Sequence, residues 1–345
     1  MPGVSQQSAL RTATWDAPAN IAFVKYWGSP DPDAGIPLNT SLSMTLSGAR
    51  ARCTIRPRSR PGVGVLLSRA GGQIADAPAP LGRPVAAHVE RILRLAGYGG
   101  GADVAIEVGF PVAAGLAASA AIFAAVTRSA VDALGLEPEP ASLAELARAG
   151  GSGSAARSLI GGYVAWGPAG DGGTWLDAVA PPAHWALSDV IALVDEGPKT
   201  VSSRDGHRRA LTSPYFDRRL ERLEERLERV RRGILERDLG TLGPALEEEA
   251  VDLHLIALSS SPPVRYWRPA TIGVLEAVEA LRAEGVSAWA TLDAGPNVHV
   301  ICEPAHEVVV ATRLAGVPGV KHVLRDGVGD GPAQSRSHLL EEDIP

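Results

Sequence analysis

The segment from Val104 to Leu134 constrains the fold of this chain more than any other. Val104-Ala105-Ile106-Glu107-Val108 alternates as a short strand does, Pro111 and Gly115 interrupt it, and an alanine-rich run follows that only a helix accommodates. A strand feeding a helix through a turn almost free of side chains gathers unpaired backbone N–H groups at the positive end of that helix. Such a point holds a phosphate with few lysines, and Ser119 is the one hydroxyl there able to join the amides. Close packing of an alanine-rich helix on a sheet accounts for the same residues without a ligand, so this stretch alone leaves both readings open.

Three further segments bear on that choice. Gly151-Ser152-Gly153-Ser154-Ala155-Ala156-Arg157-Ser158 is a second small-residue cluster, with hydroxyls and an arginine fork suited to a carboxylate or phosphate. A helix start with capping serines is the plainer reading of it. Lysine occurs only at Lys25, Lys199 and Lys321, and Lys25 sits among Ile21, Phe23, Val24, Tyr26 and Trp27, where it must snorkel, lie on a strand edge or meet an anion. Asp293-Ala294-Gly295-Pro296-Asn297 joins two short strands and presents Asp293 at a sheet tip, as a turn cap or as a functional carboxylate. Two clusters able to hold anions point to a ligand with more than one negative group.

Composition excludes several classes. At 345 residues and 45% apolar content the chain fills two ordinary domains. A net charge of -6 without a basic cluster argues against a nucleic-acid binder. Cys53 and Cys302 form no CxxC, and His306-Glu307 lacks the second histidine of HExxH, so neither a disulfide framework nor a protein-built transition-metal site is expected. The first twelve residues lack an apolar h-region and no run of eighteen apolar residues occurs, which predicts a cytoplasmic protein without a membrane partner.

Past a boundary expected near 196–200 the pattern changes. Residues 201–215 are polar and basic, and 217–246 reads as one charged helix whose alternating Glu and Arg form a solvated face around an apolar stripe. Helices, two strands around Asp293, a helix over 307–315, a strand over 320–324 and a low-complexity tail complete an α+β sandwich with helices on one face of an antiparallel sheet.

Taken together, APANIAFVKYWG (17–28), IPLNTSLSMTL (36–46), FPVAAGLAASAA (110–121), GSGSAARSLIGGYVAW (151–166), SSRDGHRR (202–209), TSPYF (212–216) and TLDAGPNVHV (291–300) resemble the mevalonate diphosphate decarboxylase family of the GHMP kinase superfamily. The resemblance implies an α+β GHMP kinase fold. Its N-terminal ATP-binding domain over 1–196 would be similar to domain 2 of ribosomal protein S5, and its C-terminal domain over 197–345 would be a ferredoxin-like sandwich. It also implies a homodimer, and a reaction of the mevalonate route to isoprenoids that uses ATP and Mg²⁺ on a small phosphorylated mevalonate.

Site roles follow from the same resemblance. Asp293 would lie beside the C3 hydroxyl as base or charge partner, Lys25 would stabilise the alkoxide or transferring phosphate, and Arg157 would hold the substrate carboxylate with Asn20 orienting it. Ala113, Ala114, Gly115, Leu116, Ala117 and Ala118 would cradle ATP through their amides, and Ser119 would reach phosphate or Mg²⁺. Tyr26, Trp27, Ser152, Ser154 and Arg204 would contact substrate. Two departures stand out: Ala118 replaces the first of two serines common in the family, and Ser29 stands where a lysine usually meets the 5-diphosphate. Losing a cation there weakens a diphosphate clamp more than a monophosphate one. The expected substrate is therefore mevalonate 5-phosphate, giving isopentenyl phosphate, with the 5-diphosphate as the alternative. A kinase that stops at C3 phosphorylation is disfavoured by the presence of Asp293, Lys25 and Arg157 together, and a non-enzymatic interaction protein by the concentration of polar residues at three turns.

Overall fold

The structure, a computed structural model, describes residues 10–32, 34–69, 72, 74–110, 118–170, 172–197 and 201–340. Two sheets organise them. The first begins with β1 (Ala13–Val24), which is buried along nearly its whole length because it lies inside the sheet and under a helix. That placement explains the unbroken apolar run Ile21-Ala22-Phe23-Val24, and Pro18 is tolerated because the ladder is irregular between Pro18 and Asn20. β2 (Ser41–Arg58) pairs antiparallel with β1 along most of its length. It runs through Gly48 without a break, as one strand of 18 residues.

β3 (Val63–Arg69), the two-residue β4 (Ala75–Asp76), α1 (Ala79–Leu95) and β5 (Gly101–Val108) follow, with β3 and β5 the one parallel pair among the described strands. α2 (Ala118–Ala133) packs on β1 and β2, and its alanines at 120, 121, 124 and 125 are fully buried. Small side chains let the helix axis approach the sheet, and Ser129 Oγ bridges the two layers by donating to Cys53 O at 2.7 Å. α3 (Pro140–Arg148), a 3₁₀ helix over Gly153–Leu159, β6 (Tyr163–Pro168) and β7 (Thr174–Ala180) complete this part. β6 pairs with the first residues of β2, whose later residues pair with β5.

β8 (Ser188–Leu193) opens the second sheet, in the order β11-β8-β10-β9, with β9 (Ala288–Thr291), β10 (Val298–Cys302) and β11 (His322–Gly327). The expected division at 196/197 leaves β8 with the first domain, whereas its hydrogen bonds place it in the second sheet. The chain also crosses back: β12 (Ala333–Ser335), within what reads as a tail, pairs with β1. α7 (Pro269–Ala283) and α8 (Glu307–Ala315) cover one face of the second sheet. Asp326 on β11 ties the sheets together by accepting from the N–H groups of Ser47, Gly48 and Ala49.

α4 (Ser203–Ala210), α5 (Phe216–Glu236) and α6 (Leu239–Ser259) lie between β8 and α7 in the chain. The helix expected over 217–246 is broken at Arg237 and Asp238. Arg237 adopts φ 57°, and the Asp238 side chain accepts from Gly240 N at 2.9 Å to start α6. The expected solvated face is also not wholly solvated: Arg219 and Arg226 of α5 are buried and bond to Glu249 of α6, itself fully buried. Among the described residues no helix is long and apolar enough to cross a membrane. Cys53 and Cys302 are both buried free thiols.

Candidate active site

A cleft of about 570 Å³ lies between the two parts. The end of β1, the start of α2 and the 3₁₀ segment line it from one side, and α4, α6 and the β9–β10 turn from the other. Its volume falls within the range of small-molecule sites.

Lys25 follows the last residue of β1 and is 2% exposed. Its Nζ donates to Ala22 O at 2.6 Å and to Asp293 Oδ1 at 2.9 Å. Asp293, whose side chain is 26% exposed, therefore meets the lysine inside the cleft. The turn that carries Asp293 is pinned from both sides. Asn297 Oδ1 accepts from Val194 N and Asp195 N at 2.7 and 3.0 Å, and Thr271 Oγ1 donates to Pro296 O at 2.7 Å.

Arg157 is buried in the cleft wall. Its Nη1 donates to Ser41 Oγ at 2.5 Å, its Nε to Ser43 Oγ at 3.1 Å and its Nη2 to Asn20 Oδ1 at 3.2 Å. Asn20 Nδ2 in turn donates to Ser158 Oγ at 2.8 Å. The guanidinium has five N–H donors, so these contacts fix its plane and leave donors for a ligand oxygen. Burial lowers the Arg157 pKa to about 10, an effect that the nearby Asp293 charge opposes, and the group stays protonated at neutral pH.

Ser152 and Ser154 face each other with hydroxyls 3.1 Å apart. Ser152 makes no side-chain cap bond to the 3₁₀ helix, so the capping reading of this cluster does not describe it. Its glycines serve close approach instead. A Cβ at Gly153 would stand 2.7 Å from the Tyr26 ring, and Gly151 adopts φ 116° beside the Arg204 guanidinium. Arg204 lines the cleft and donates to Gly151 O at 3.4 Å. Tyr26 and Trp27 also line it, both close to the His207 ring, with centroids 4.3 and 4.9 Å away. Burial, aided by Arg219, pushes His207 down to about 3, so this wall is neutral at working pH.

Ala118 and Ser119, on the first turn of α2, line the cleft, so the positive end of that helix opens into it. The expected ATP cradle at Ala113, Ala114, Gly115, Leu116 and Ala117 lies outside the described residues. Among the described residues no group of three or more His, Cys, Asp or Glu side chains is placed to hold a metal ion. Mg²⁺ would then arrive on phosphate oxygens, as it commonly does, with Ser119 the nearest hydroxyl on that turn.

Several further residues of this site carry little signal in the sequence. Ser41 and Ser43 are both buried against Arg157, to which each hydroxyl is bonded. Ser202, Ser203 and His207 line the cleft, and their signal was the polar segment around Arg204. Ser29 does the opposite. It is fully buried, donates to Ile36 O at 2.8 Å and bonds to the Tyr26 side chain, and it does not itself line the cleft.

A family model for the diphosphomevalonate decarboxylase-like N-terminal domain matches residues 17–175, and one for the mevalonate 5-diphosphate decarboxylase C-terminal domain matches 189–333. The chain belongs to the diphosphomevalonate decarboxylase family. Membership brings with it the expected GHMP kinase fold and the chemistry of an ATP-dependent decarboxylase of the mevalonate pathway. The diphosphomevalonate decarboxylase of Aspergillus fumigatus is 31% identical, over 99% of this chain and 98% of its own. That of Bos taurus is 31% identical over 91% of this chain and 83% of its own. Among solved structures, MDDEF in complex with MVAPP, AMPPCP and magnesium superposes with a TM-score of 0.85 at 30% identity, covering 95% of this chain and all of that one. The mevalonate diphosphate decarboxylase of Staphylococcus aureus gives 0.85 at 26% identity, over 95% and 98%.

These findings overturn the expectation of mevalonate 5-phosphate as substrate: the relatives are diphosphate decarboxylases, and the MDDEF complex holds MVAPP. The physical reason lies in Ser29. A side chain that is not part of the cleft takes no cation out of it, and Arg204 remains there with Ser152, Ser154, Ser202 and Ser203.

Proposed function

We propose that this protein converts mevalonate 5-diphosphate to isopentenyl diphosphate and CO₂, with ATP, bound with Mg²⁺, consumed to ADP and phosphate. The observation that carries this reading is the Lys25–Asp293 pair at 2.9 Å, in a cleft that also contains Arg157 and the first turn of α2. Neither hydroxide nor an unactivated carboxylate leaves readily, and ATP supplies the phosphoryl group that makes the C3 oxygen a leaving group. As that group departs, the C–CO₂ bond gives its electrons to the new alkene. Asp293 takes the hydroxyl proton or balances its charge, and Lys25 stabilises the developing alkoxide. Arg157, its plane set by Asn20, Ser41 and Ser43, holds the carboxylate until it leaves as CO₂. Arg204, Ser152 and Ser154 face the phosphorylated end, Tyr26 and Trp27 wall the substrate, and Ser119 with the amides of Ala113 to Ala118 takes the nucleotide phosphates.

Family resemblance supports two wider parts of this reading. The protein works as a homodimer in the cytoplasm, and its N-terminal part carries the nucleotide while the C-terminal part supplies Asp293. Steady-state assays with mevalonate, its 5-phosphate and its 5-diphosphate, following ADP and CO₂ together, test the assignment. A higher kcat/KM for the 5-diphosphate and equal release of ADP and CO₂ are expected. ADP without CO₂ sinks it.

A further inference from the structure

Lys25 lies just beyond the last ladder pair of β1, Val24 with Leu42, and side chains meet its peptide groups instead of a strand. Its N–H donates to Glu249 Oε1 at 3.0 Å. Its carbonyl accepts from Arg219 Nη2 at 2.9 Å and from Asn39 Nδ2 at 3.0 Å. Glu249 bonds to Arg219 through the same Oε1 and to Arg226 through Oε2, and Arg226 Nη2 donates to Asp252 Oδ2 at 2.7 Å. Glu249, Arg219 and Arg226 are 0%, 2% and 1% exposed, and they come from α5 and α6 rather than from the part of the chain that carries Lys25.

We propose that Glu249 and Arg219 are positioning residues for Lys25, gripping its peptide from both sides and so fixing where Nζ meets Asp293 and the reacting hydroxyl. This rests on the reading that Lys25 faces that hydroxyl. Stability alone is a poor reason for such a cluster. Taking a carboxylate and two guanidinium groups out of water costs about as much as their attraction returns, and apolar side chains would join α5 to α6 as well. Apolar side chains cannot accept the Lys25 N–H or donate to its carbonyl, and those two bonds replace the missing strand partner. With the peptide held, the bond from Nζ to Ala22 O folds the side chain back along β1 and leaves little freedom in its direction. The grip also links α5 and α6 to the residue that faces Asp293 from β1.

Glu249→Asp tests the proposal, because it keeps the charge that Arg219 and Arg226 need and withdraws the carboxylate by one methylene from the Lys25 N–H. kcat is expected to fall roughly 10- to 100-fold, with KM for ATP and for mevalonate 5-diphosphate within about twofold of the parent. A cycle with Lys25→Met isolates the route. In that background Glu249→Asp should cost nothing further in kcat, since the group it acts through is gone. An unchanged kcat, or an equal loss in both backgrounds, overturns the proposal. A Lys25→Met enzyme with near-normal kcat removes the role of Lys25 itself, and the positioning role with it. If Glu249→Asp does not fold, Arg219→Lys, which keeps the charge beside Glu249 and removes one of the two donors to the Lys25 carbonyl, leaving Asn39, is measured in the same cycle and read by the same outcomes.

Discussion

Lys25 Nζ and Asp293 Oδ1 stand 2.9 Å apart although 268 positions separate them in the chain. The first is held at the end of β1 and the second on the turn between β9 and β10, so the pair exists only when the two sheets are docked. Neither residue alone is unusual. Their meeting in a cleft with a buried arginine opposite gives a carboxylate and an ammonium at one reacting oxygen.

Asp293→Asn retains the shape of that pair and removes its charge. kcat should fall by roughly 10²- to 10⁴-fold, the usual scale for general acid–base groups, while KM moves little. Steady-state CO₂ release measures it, and a variant with near-normal kcat takes Asp293 out of the chemistry.

Arg157→Lys leaves a charge in the wall but not the planar fork that Asn20, Ser41 and Ser43 align. kcat/KM for mevalonate 5-diphosphate should drop by about 30- to 300-fold, equivalent to roughly 2–3 kcal/mol. The affinity for ATP, measured by calorimetry on the free enzyme, should stay close to the parent value. Loss of ATP binding instead would place Arg157 in the nucleotide site.

Recognition of the phosphorylated end divides Arg204 from Ser29. Arg204→Gln removes a cation from the cleft and should raise KM for the 5-diphosphate about tenfold. Ser29→Ala loses the bond to Ile36 O and the bond to the Tyr26 side chain but no charge from the cleft, and should leave the ratio of kcat/KM between 5-diphosphate and 5-phosphate within about twofold of the parent. A large change in that ratio from Ser29→Ala would show that this position reads substrate after all.

Acid stability should be governed by three buried histidines. Burial, with Arg91 adding to it at His88 and Arg219 at His207, pushes His88 to about 4 and His207 to about 3, and burial likewise takes His254 to about 4. The unfolded chain takes up these protons from about pH 6.5 downward, and the folded chain does so only near 3 to 4. Stability is therefore full above about pH 6.5 and is lost as the pH falls toward 4, by up to about 1.4 kcal/mol per pH unit for each histidine. Thermal melts across that window should show Tm falling, and His88→Gln should make the fall shallower. A flat Tm would count against the burial of these rings in neutral form.

Arg237 is an exposed arginine with φ 57°, in the left-handed region between α5 and α6. Arg237→Gly removes the Cβ penalty of that conformation and should stabilise the fold by about 0.5–1 kcal/mol, read from urea denaturation. Destabilisation would mean that the arginine side chain contributes more than the strain costs.

The sequence by itself determined the local pieces and the family. The strand at β5 and the alanine-rich helix α2 are legible because strand alternation and small-residue helices leave their mark in consecutive residues. Lys25 in an apolar run, Arg157 after a glycine–serine cluster and Asp293 on a strand–strand turn stand out because each breaks its local pattern. The break at Arg237 was not legible, because the apolar stripe of the helix continues across it and only the αL residue and the Asp238 cap interrupt the backbone. Nor was the return of β12 to β1, a pairing between chain ends that leaves no periodic trace. Tertiary structure alone decided which way charged and polar side chains face. Arg219 and Arg226 read as part of a solvated face and are buried with Glu249 behind Lys25, whereas Ser29, at the position where a lysine would meet the 5-diphosphate, is buried and bonded to Ile36 O and the Tyr26 side chain. Burial of a charge depends on partners brought from distant segments, and burial of a serine on which neighbouring carbonyl its hydroxyl reaches. Spacing along the chain encodes neither.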